Sequence, residues 1–291
     1  MIVVVGATGS LGTCVTKELA AAGKPVTALV RDRSSEKARA LEAVGARLVV
    51  GDLKDAASIE QALRRGSTVI CSASSMMSRR AGDSIEMVDQ QGVQNLISAA
   101  ERTAVRRFIF VSSSRNVGED FPLAAAKRAA EKRLESSRLD YTILLPSYFP
   151  ETFLSPGTGF DVANGKVRIY GNGTSKVSYI ALEDFAKAVV ACVDNPAVSR
   201  QAIPVGGPQA LSQLEIVRLV ERTTGRKLHL EYMTAEQIQA ARANTTDPLM
   251  SSFLGLCASL AKGDEIPTDW TRQLNVQPMS LAEWIAKNVK A

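Results

Sequence analysis

The chain opens MIVVVGATGSLG, in which four apolar residues, Ile2, Val3, Val4 and Val5, run without a break into glycines at Gly6, Gly9 and Gly12. An unbroken β-branched run reads as a strand covered on both faces, the kind found in parallel sheets. Here it stops where the backbone must turn tightly into a helix. Leu11, Val15 and Leu19 recur at helical spacing, Ala20 and Ala22 continue the pattern, and Gly23 stands where a left-handed cap closes it. A helix begun in this way points N–H groups and a partial positive charge at the turn, and glycines let an anion approach the backbone closely. The spacing is GxxGxxG rather than the commoner GxGxxG, so the strand before and the helix after carry the inference. A dinucleotide pyrophosphate is the expected guest, held by Gly6, Thr8, Gly9, Ser10, Leu11 and Gly12.

The alternation continues along the chain. Strands are predicted over residues 25–30, 47–50, 68–71, 107–111 and 141–145. Between them lie a helix capped by Ser34 that carries Ala38 and Leu41, a short one through Ile59 and Leu63, a longer one over about 83–102, and one near 123–137. Such a rhythm with right-handed crossovers predicts an α/β fold, a doubly wound parallel sheet of the Rossmann kind, with its ligand crevice at the carboxyl ends of the strands. After Pro146 the composition turns to glycine, serine and turn dipeptides, with one strand at 166–170. A helix over 182–195 and a strand over 201–205 are expected to rejoin the main sheet. Beyond Gly207 helices are predicted over 211–224, 235–243, 248–260 and 280–290, with a strand near 227–232. The expected division is a Rossmann domain over 1–150, rejoined by 176–205, with 151–175 and 206–291 forming a smaller, mostly helical substrate-binding lobe.

Composition narrows the partners. Among 291 residues, 35 basic and 30 acidic side chains are spread without a run of like charge, which argues against a nucleic-acid tail. The cysteines Cys14, Cys71, Cys192 and Cys257 form no CxxC pair, and His229 is the single histidine, so no metal cluster is expected. His229 alternates with Leu228 and Leu230 and reads as a surface or packing residue. The glycine turn begins at residue 6 and no apolar run approaches the roughly 20 residues of a membrane helix, so a soluble cytoplasmic protein is expected.

The end of the second strand tells which dinucleotide is read, because the adenosine ribose lies beside it. Arg31 and Arg33, with Ser34, offer forked donors to a 2′-phosphate, whereas Asp32 between them suits the plain ribose. NADPH (NADP) is the expected coenzyme. Asp52 and Leu53, after the third strand, fall beside the adenine, and Ser72 and Ala73, after the fourth, are small where the coenzyme passes over backbone. Ser112 and Ser113 close the fifth strand at the nicotinamide edge, where a hydroxyl can bond a substrate oxygen. Pro146 and Tyr148 follow the sixth, Tyr148 offering a phenol or an aromatic wall. Met76, Met77 and the apolar stretch 249–260 read as core or as lining of a hydrophobic site.

Together VGATGSLG, LVRDRSSEKARALEAVGARLVVGDLKD and AAAKRAAEKRLESSRLDYTILLPSYF resemble the atypical short-chain dehydrogenase/reductase group, in its NmrA-like and isoflavone-reductase-like branches. The resemblance implies a nicotinamide-dependent reductase of small carbonyl, quinonoid or unsaturated compounds; some members bind the coenzyme without turnover. In the usual family site a Tyr four residues before a Lys donates a proton, but here Lys127 is preceded at that spacing by Leu123. The isoflavone-reductase-like branch implies that Lys127 is then the principal catalytic group, able to anchor the coenzyme or donate a proton. Family members commonly carry Arg before the proline where this chain has Leu145 before Pro146, so a relative's substrate does not carry over. The expected activity is reduction of a small apolar carbonyl, quinone or enone by NADPH, with Lys127, Ser113 and Tyr148 at the chemistry. The alternative is a non-catalytic redox sensor of the NmrA-like type; the expected partners besides a small-molecule substrate are a second copy in a homodimer or, for a sensor, another protein. A nucleotide-sugar epimerase fits less well, since those enzymes keep the missing Tyr.

Overall fold

The computed structural model describes residues 1–78 and 80–290. In chain order the elements are β1 (Ile2–Val5), α1 (Ser10–Ala21), β2 (Val26–Val30), α2 (Glu36–Ala43), β3 (Arg47–Val50), α3 (Ala56–Leu63), β4 (Thr68–Cys71), α4 (Val93–Arg102), β5 (Arg107–Val111), α5 (Pro122–Glu135) and β6 (Asp140–Pro146). There follow α6 (Pro150–Phe153), β7 (Phe160–Asp161), β8 (Lys166–Tyr170), β9 (Lys176–Val177), α7 (Leu182–Ala191), β10 (Gln201–Val205), β11 (Leu211–Ser212) and α8 (Gln213–Thr224). The chain ends with β12 (His229–Met233), α9 (Ala235–Ala243), α10 (Pro248–Lys262), α11 (Trp270–Leu274) and α12 (Leu281–Asn288). Contacts divide it into two units, residues 1–112, 122–144 and 186–203 in the first and 113–121, 145–185 and 204–291 in the second.

The opening apolar run becomes the middle of a seven-stranded sheet ordered β10-β6-β5-β4-β1-β2-β3, with parallel pairing from β6 through to β3. This is the doubly wound α/β sheet expected from the alternation. Every residue of β1, β2, β4 and β5 is buried, which is why these strands read as apolar runs with no polar alternation. The chain reverses its direction of travel across the sheet beside β1, whose Val5 pairs with Leu29 on one side and Cys71 on the other. The turn at Gly6 therefore opens at the topological switch point. Arg107, a buried cation within β5, donates to the Cys192 carbonyl at 2.8 Å, to Asp140 at 2.6 Å, to Thr142 Oγ1 at 2.9 Å and to the Asn195 carbonyl at 3.2 Å. Those bonds satisfy its charge and clamp β5 to β6 and to the residues after α7.

Two helix starts differ from the sequence expectation. The helix expected from residue 83 begins at Ile85, its first eight residues Ile85–Gly92 are π-helical, and α4 continues from them. Ser84 is its cap, accepting from Met87 N at 3.1 Å, and Asp83 lies outside. Ser35 rather than Ser34 caps α2, because the Asp32 carboxylate takes both the amide (2.8 Å) and the hydroxyl (2.6 Å) of Ser34 in a local turn.

In the second unit β8 pairs in parallel with β12 and antiparallel with β7, while β9 pairs with β11. Three of its helices, α8, α9 and α12, begin with reciprocal capping boxes, Ser212 with Glu215, Thr234 with Gln237 and Ser280 with Glu283. Glu151 Oε1 accepts both Leu182 N at 3.0 Å and Trp284 Nε1 at 3.1 Å, tying three segments together.

Candidate functional site

Sterics leave little choice at the glycine turn. Gly6 sits at φ +82°, and a Cβ there would lie 2.7 Å from Ala73 N. A Cβ on Gly12 would come within 2.1 Å of Gly6 O. These two glycines let β1, the turn, α1 and the strand end after β4 close on one another. Gly9 is different: it is exposed, caps α1 with no side-chain bond, and donates to Gly6 O at 3.0 Å. The amides of Ser10, Leu11 and Gly12, at the first turn of α1, have no acceptor a turn earlier in the helix, and Ser10 is exposed. A backbone cradle that a side chain would fill, at the positive end of a helix, fits a dinucleotide pyrophosphate.

Beside it lie the ends of β2 and β3. Arg31 follows β2 directly and donates through Nη1 to Asp83 Oδ2 at 2.5 Å. Arg33 turns away and pairs with Glu42 at 2.6 Å, with both side chains well exposed. Asp52 accepts from Lys54 N at 2.9 Å, and its own amide donates to Ser58 Oγ at 3.0 Å. Leu53 is buried, and a Cβ on Gly92 would lie 2.8 Å from its Cβ. Lys54 Nζ donates to Asp83 Oδ1 at 2.5 Å, and Ser78 Oγ to Asp83 Oδ2 at the same distance. Burial works against ionisation of Asp83, yet the bonds from Lys54, Ser78 and Arg31 hold its carboxyl well below the usual range. The sequence pattern marks neither Lys54 nor Asp83, because nothing local shows that Asp83 returns to the ends of β2 and β3.

Against the glycine turn itself, Ser72 Oγ donates to Val5 O at 3.3 Å, and Ala73 is buried against Gly6. Lys127 is 7% exposed, donates to the Val111 carbonyl at 3.1 Å and lies 5.1 Å from the Phe110 ring centroid. It thus occupies the sheet-facing side of α5 at the carboxyl end of β5. The basic run of α5 is not simply a solvated face, since Arg128 is also buried, in an ion pair with buried Glu131. Glu131 in turn accepts the Ser112 hydroxyl, which fixes that side chain. Asp89 of the π-helical segment accepts from Ser75 N at 2.9 Å and Ser75 Oγ at 2.6 Å. Burial pushes the Cys71 thiol up, opposed by the charge of Lys127. Ser112, Glu131 and Asp89 illustrate polar groups that the sequence pattern does not bring together.

The remaining expected residues belong to the second unit. Ser113 is half-buried, and the Pro146 carbonyl accepts from Ser114 N at 3.0 Å. Ser114 Oγ and Asn116 Nδ2 both donate to Asp264 Oδ1, at 2.6 and 2.8 Å. Tyr148 is buried, donates its hydroxyl to the Leu256 carbonyl at 3.0 Å and packs edge-on against Phe153 with centroids 4.7 Å apart. Burial, with the Asp264 charge, holds its phenol protonated well above the ordinary range. His229 is exposed on β12, while burial pushes the Cys192 and Cys257 thiols up to about 12. Among the described residues no group of three His, Cys, Asp or Glu could hold a metal, and no helix is long and apolar enough to cross a membrane.

The family described as NAD(P)H-binding matches this chain over residues 6–196. The photosystem II assembly factor Ycf39 of Synechocystis sp. is 31% identical over 247 residues, which cover 84% of this chain and 74% of that protein. The NAD(P)H azoreductase of Xenophilus azovorans is 30% identical over 243 residues, covering 83% of this chain and 80% of that one. Among solved structures, an NADPH-dependent quinone oxidoreductase from Escherichia coli complexed with NADPH aligns with a TM-score of 0.81 at 21% identity, over 99% of each chain. Identity at that level speaks to the fold alone.

Proposed function

We propose, from the premise that this chain belongs to the NAD(P)H-binding family, that it is an NADPH-dependent reductase of small apolar carbonyl, quinone or enone compounds. Bound NADPH supplies the hydride. The chain's own work is to bind and orient. The Gly6, Thr8, Gly9, Ser10, Leu11 and Gly12 turn holds the pyrophosphate through backbone amides, Arg31 reads the 2′-phosphate with Arg33 assisting, and Asp52 and Leu53 flank the adenine. Ser72, Ala73, Ser112 and Pro146 line the path towards the nicotinamide. Lys127 fixes the nicotinamide ribose and holds at Nζ the proton that the reduced substrate takes up. Ser113 bonds the substrate oxygen, and Tyr148 supplies an aromatic wall.

The observation that carries this reading is the placement of Lys127. An ammonium is costly to bury, and this one is held against a backbone carbonyl at the end of β5, in a chain whose family binds a nicotinamide coenzyme. The likeness to an azoreductase supports reductive chemistry without identifying the substrate. The test is steady oxidation of NADPH against a panel of quinones, enones and aldehydes, for the natural chain and Lys127→Ala. Turnover that disappears in Lys127→Ala while NADPH binding survives is the expected result. Absence of turnover with every compound, beside tight NADPH binding, would overturn it.

A second reading, a coenzyme-responsive regulatory protein, draws on two observations. Leu123 stands where the family's usual site has its Tyr, and one of the relatives is an assembly factor. Recovery of a partner protein with only one redox form of the coenzyme would favour it over the reductase.

A further inference from the structure

We infer that Asp83 is an internal anion seated in the 2′-phosphate site, that Lys54 is the second cation of that site beside Arg31, and that Asp83 tunes NADPH affinity by competition. The inference rests on the reading above that Arg31 recognises the 2′-phosphate.

The strand register makes the pair of cations. β2 and β3 are parallel neighbours with Val30 opposite Val50, so Arg31 and the residues 51–54 leave adjacent strand ends on the same edge of the sheet. The segment after β4 then delivers Asp83 between them, one carboxylate oxygen 2.5 Å from Arg31 Nη1 and the other 2.5 Å from Lys54 Nζ. Asp83's side chain is only 2% exposed, whereas Arg31 and Lys54 keep 36% and 24% of theirs open to solvent. A ligand can therefore reach the cations, while the carboxylate sits behind them. Asp52 Oδ2 lies 3.6 Å from Lys54 Nζ, so the four side chains Arg31, Lys54, Asp83 and Asp52 sum to zero charge.

That balance decides what each coenzyme meets. A 2′-phosphate brings roughly −1.5 to −2 charges and three acceptor oxygens, and it asks for the same forked donors that Asp83 already occupies. Asp83 takes Arg31 through Nη1 alone and Lys54 through a single bond, so a phosphate can reach the remaining N–H donors of both but must share the two cations with a second anion beside it. A coenzyme with a plain 2′-hydroxyl carries no such charge and leaves the Asp83 bridge intact. Asp83 thus lowers affinity for NADPH selectively, and it holds Arg31 and Lys54 together when no phosphate is present.

The test is calorimetric titration of NADPH, NADH and adenosine 2′-monophosphate into the natural chain, Asp83→Asn, Lys54→Ala and Arg31→Ala. Asp83→Asn is expected to tighten NADPH and adenosine 2′-monophosphate by about fivefold, the scale of one partly exposed ion pair, and to leave NADH within about twofold. Lys54→Ala is expected to weaken NADPH and adenosine 2′-monophosphate but not NADH, which keeps the inference testable should Asp83→Asn fold poorly. Equal effects on NADPH and NADH in both variants would overturn it, since Asp83 would then be a structural bridge only. If Arg31→Ala alone is selective for NADPH, the inference fails and the reading of Arg31 stands; if Arg31→Ala is not selective either, both fail.

Discussion

Lys127 donates its ammonium proton to the Val111 carbonyl at 3.1 Å, so a buried cation on α5 is fastened to the carboxyl end of β5. The bond sets the reach of the side chain, and the Phe110 ring 5.1 Å away backs it. Replacing Lys127 by Ala or Met is expected to lower kcat by about a hundredfold or more, the usual scale for a positioned proton donor. Calorimetric affinity for NADPH should change by less than about tenfold. A variant that binds NADPH normally and turns over normally would remove Lys127 from the chemistry.

Arg31 and Arg33 are separated by a single residue but face different partners, Asp83 and Glu42. Arg31→Ala is therefore expected to weaken NADPH by about 1–3 kcal/mol, the loss of a charged hydrogen-bond donor, with NADH nearly unaffected. Arg33→Ala should cost well under half of that. Titration of both coenzymes into both variants reads the difference, and equal weakening by Arg31→Ala would deny that it recognises the 2′-phosphate.

A methyl group at Gly12 has nowhere to go, because it would stand 2.1 Å from the Gly6 carbonyl oxygen. Gly12→Ala should cost at least about 1–3 kcal/mol of stability through overpacking and open the turn proposed to receive the pyrophosphate. Thermal melting with and without NADPH separates the two effects: the variant melts lower and gains no stabilisation from the coenzyme. Ser10→Ala, at an exposed position of the same turn, should keep both properties.

Glu151 carries a pH dependence in the second unit. Burial pushes its carboxyl above the ordinary value, so the folded chain holds that proton more tightly than the unfolded one. The stabilisation is present below the unfolded value, about 4.3, and is lost as pH rises through the raised folded value. Glu151→Gln keeps an oxygen acceptor for Leu182 N and Trp284 Nε1 and removes the charge. It should raise the melting temperature at pH 7–8 and have little effect near pH 4; a variant less stable than the natural chain at neutral pH would contradict this.

What the sequence discloses follows from which forces are local. β1 and β8 are legible because burial on two faces or one imposes its own periodicity, and Gly6 and Gly12 because a tight strand-to-helix turn excludes side chains. Lys127 stands out from its basic run only through the family resemblance, since a Lys among Arg128, Lys132 and Arg133 reads locally as a solvated face. The four bonds of Arg107, by contrast, reach from residue 107 to residue 195, and nothing in the neighbourhood of Arg107 announces them. The same holds for Glu131 beneath Ser112, and for Asp83, whose position depends on the helix starting at Ile85 rather than at residue 83. The five-residue α11 is too short to show a helical period.

The most direct test of the coenzyme site is isothermal titration of NADPH into the natural chain and into Gly12→Ala. One saturating site per chain is expected, abolished or severely weakened by the single methyl group. Flat heats with the natural chain, or undiminished binding by Gly12→Ala, would contradict the assignment of the glycine turn as the pyrophosphate cradle.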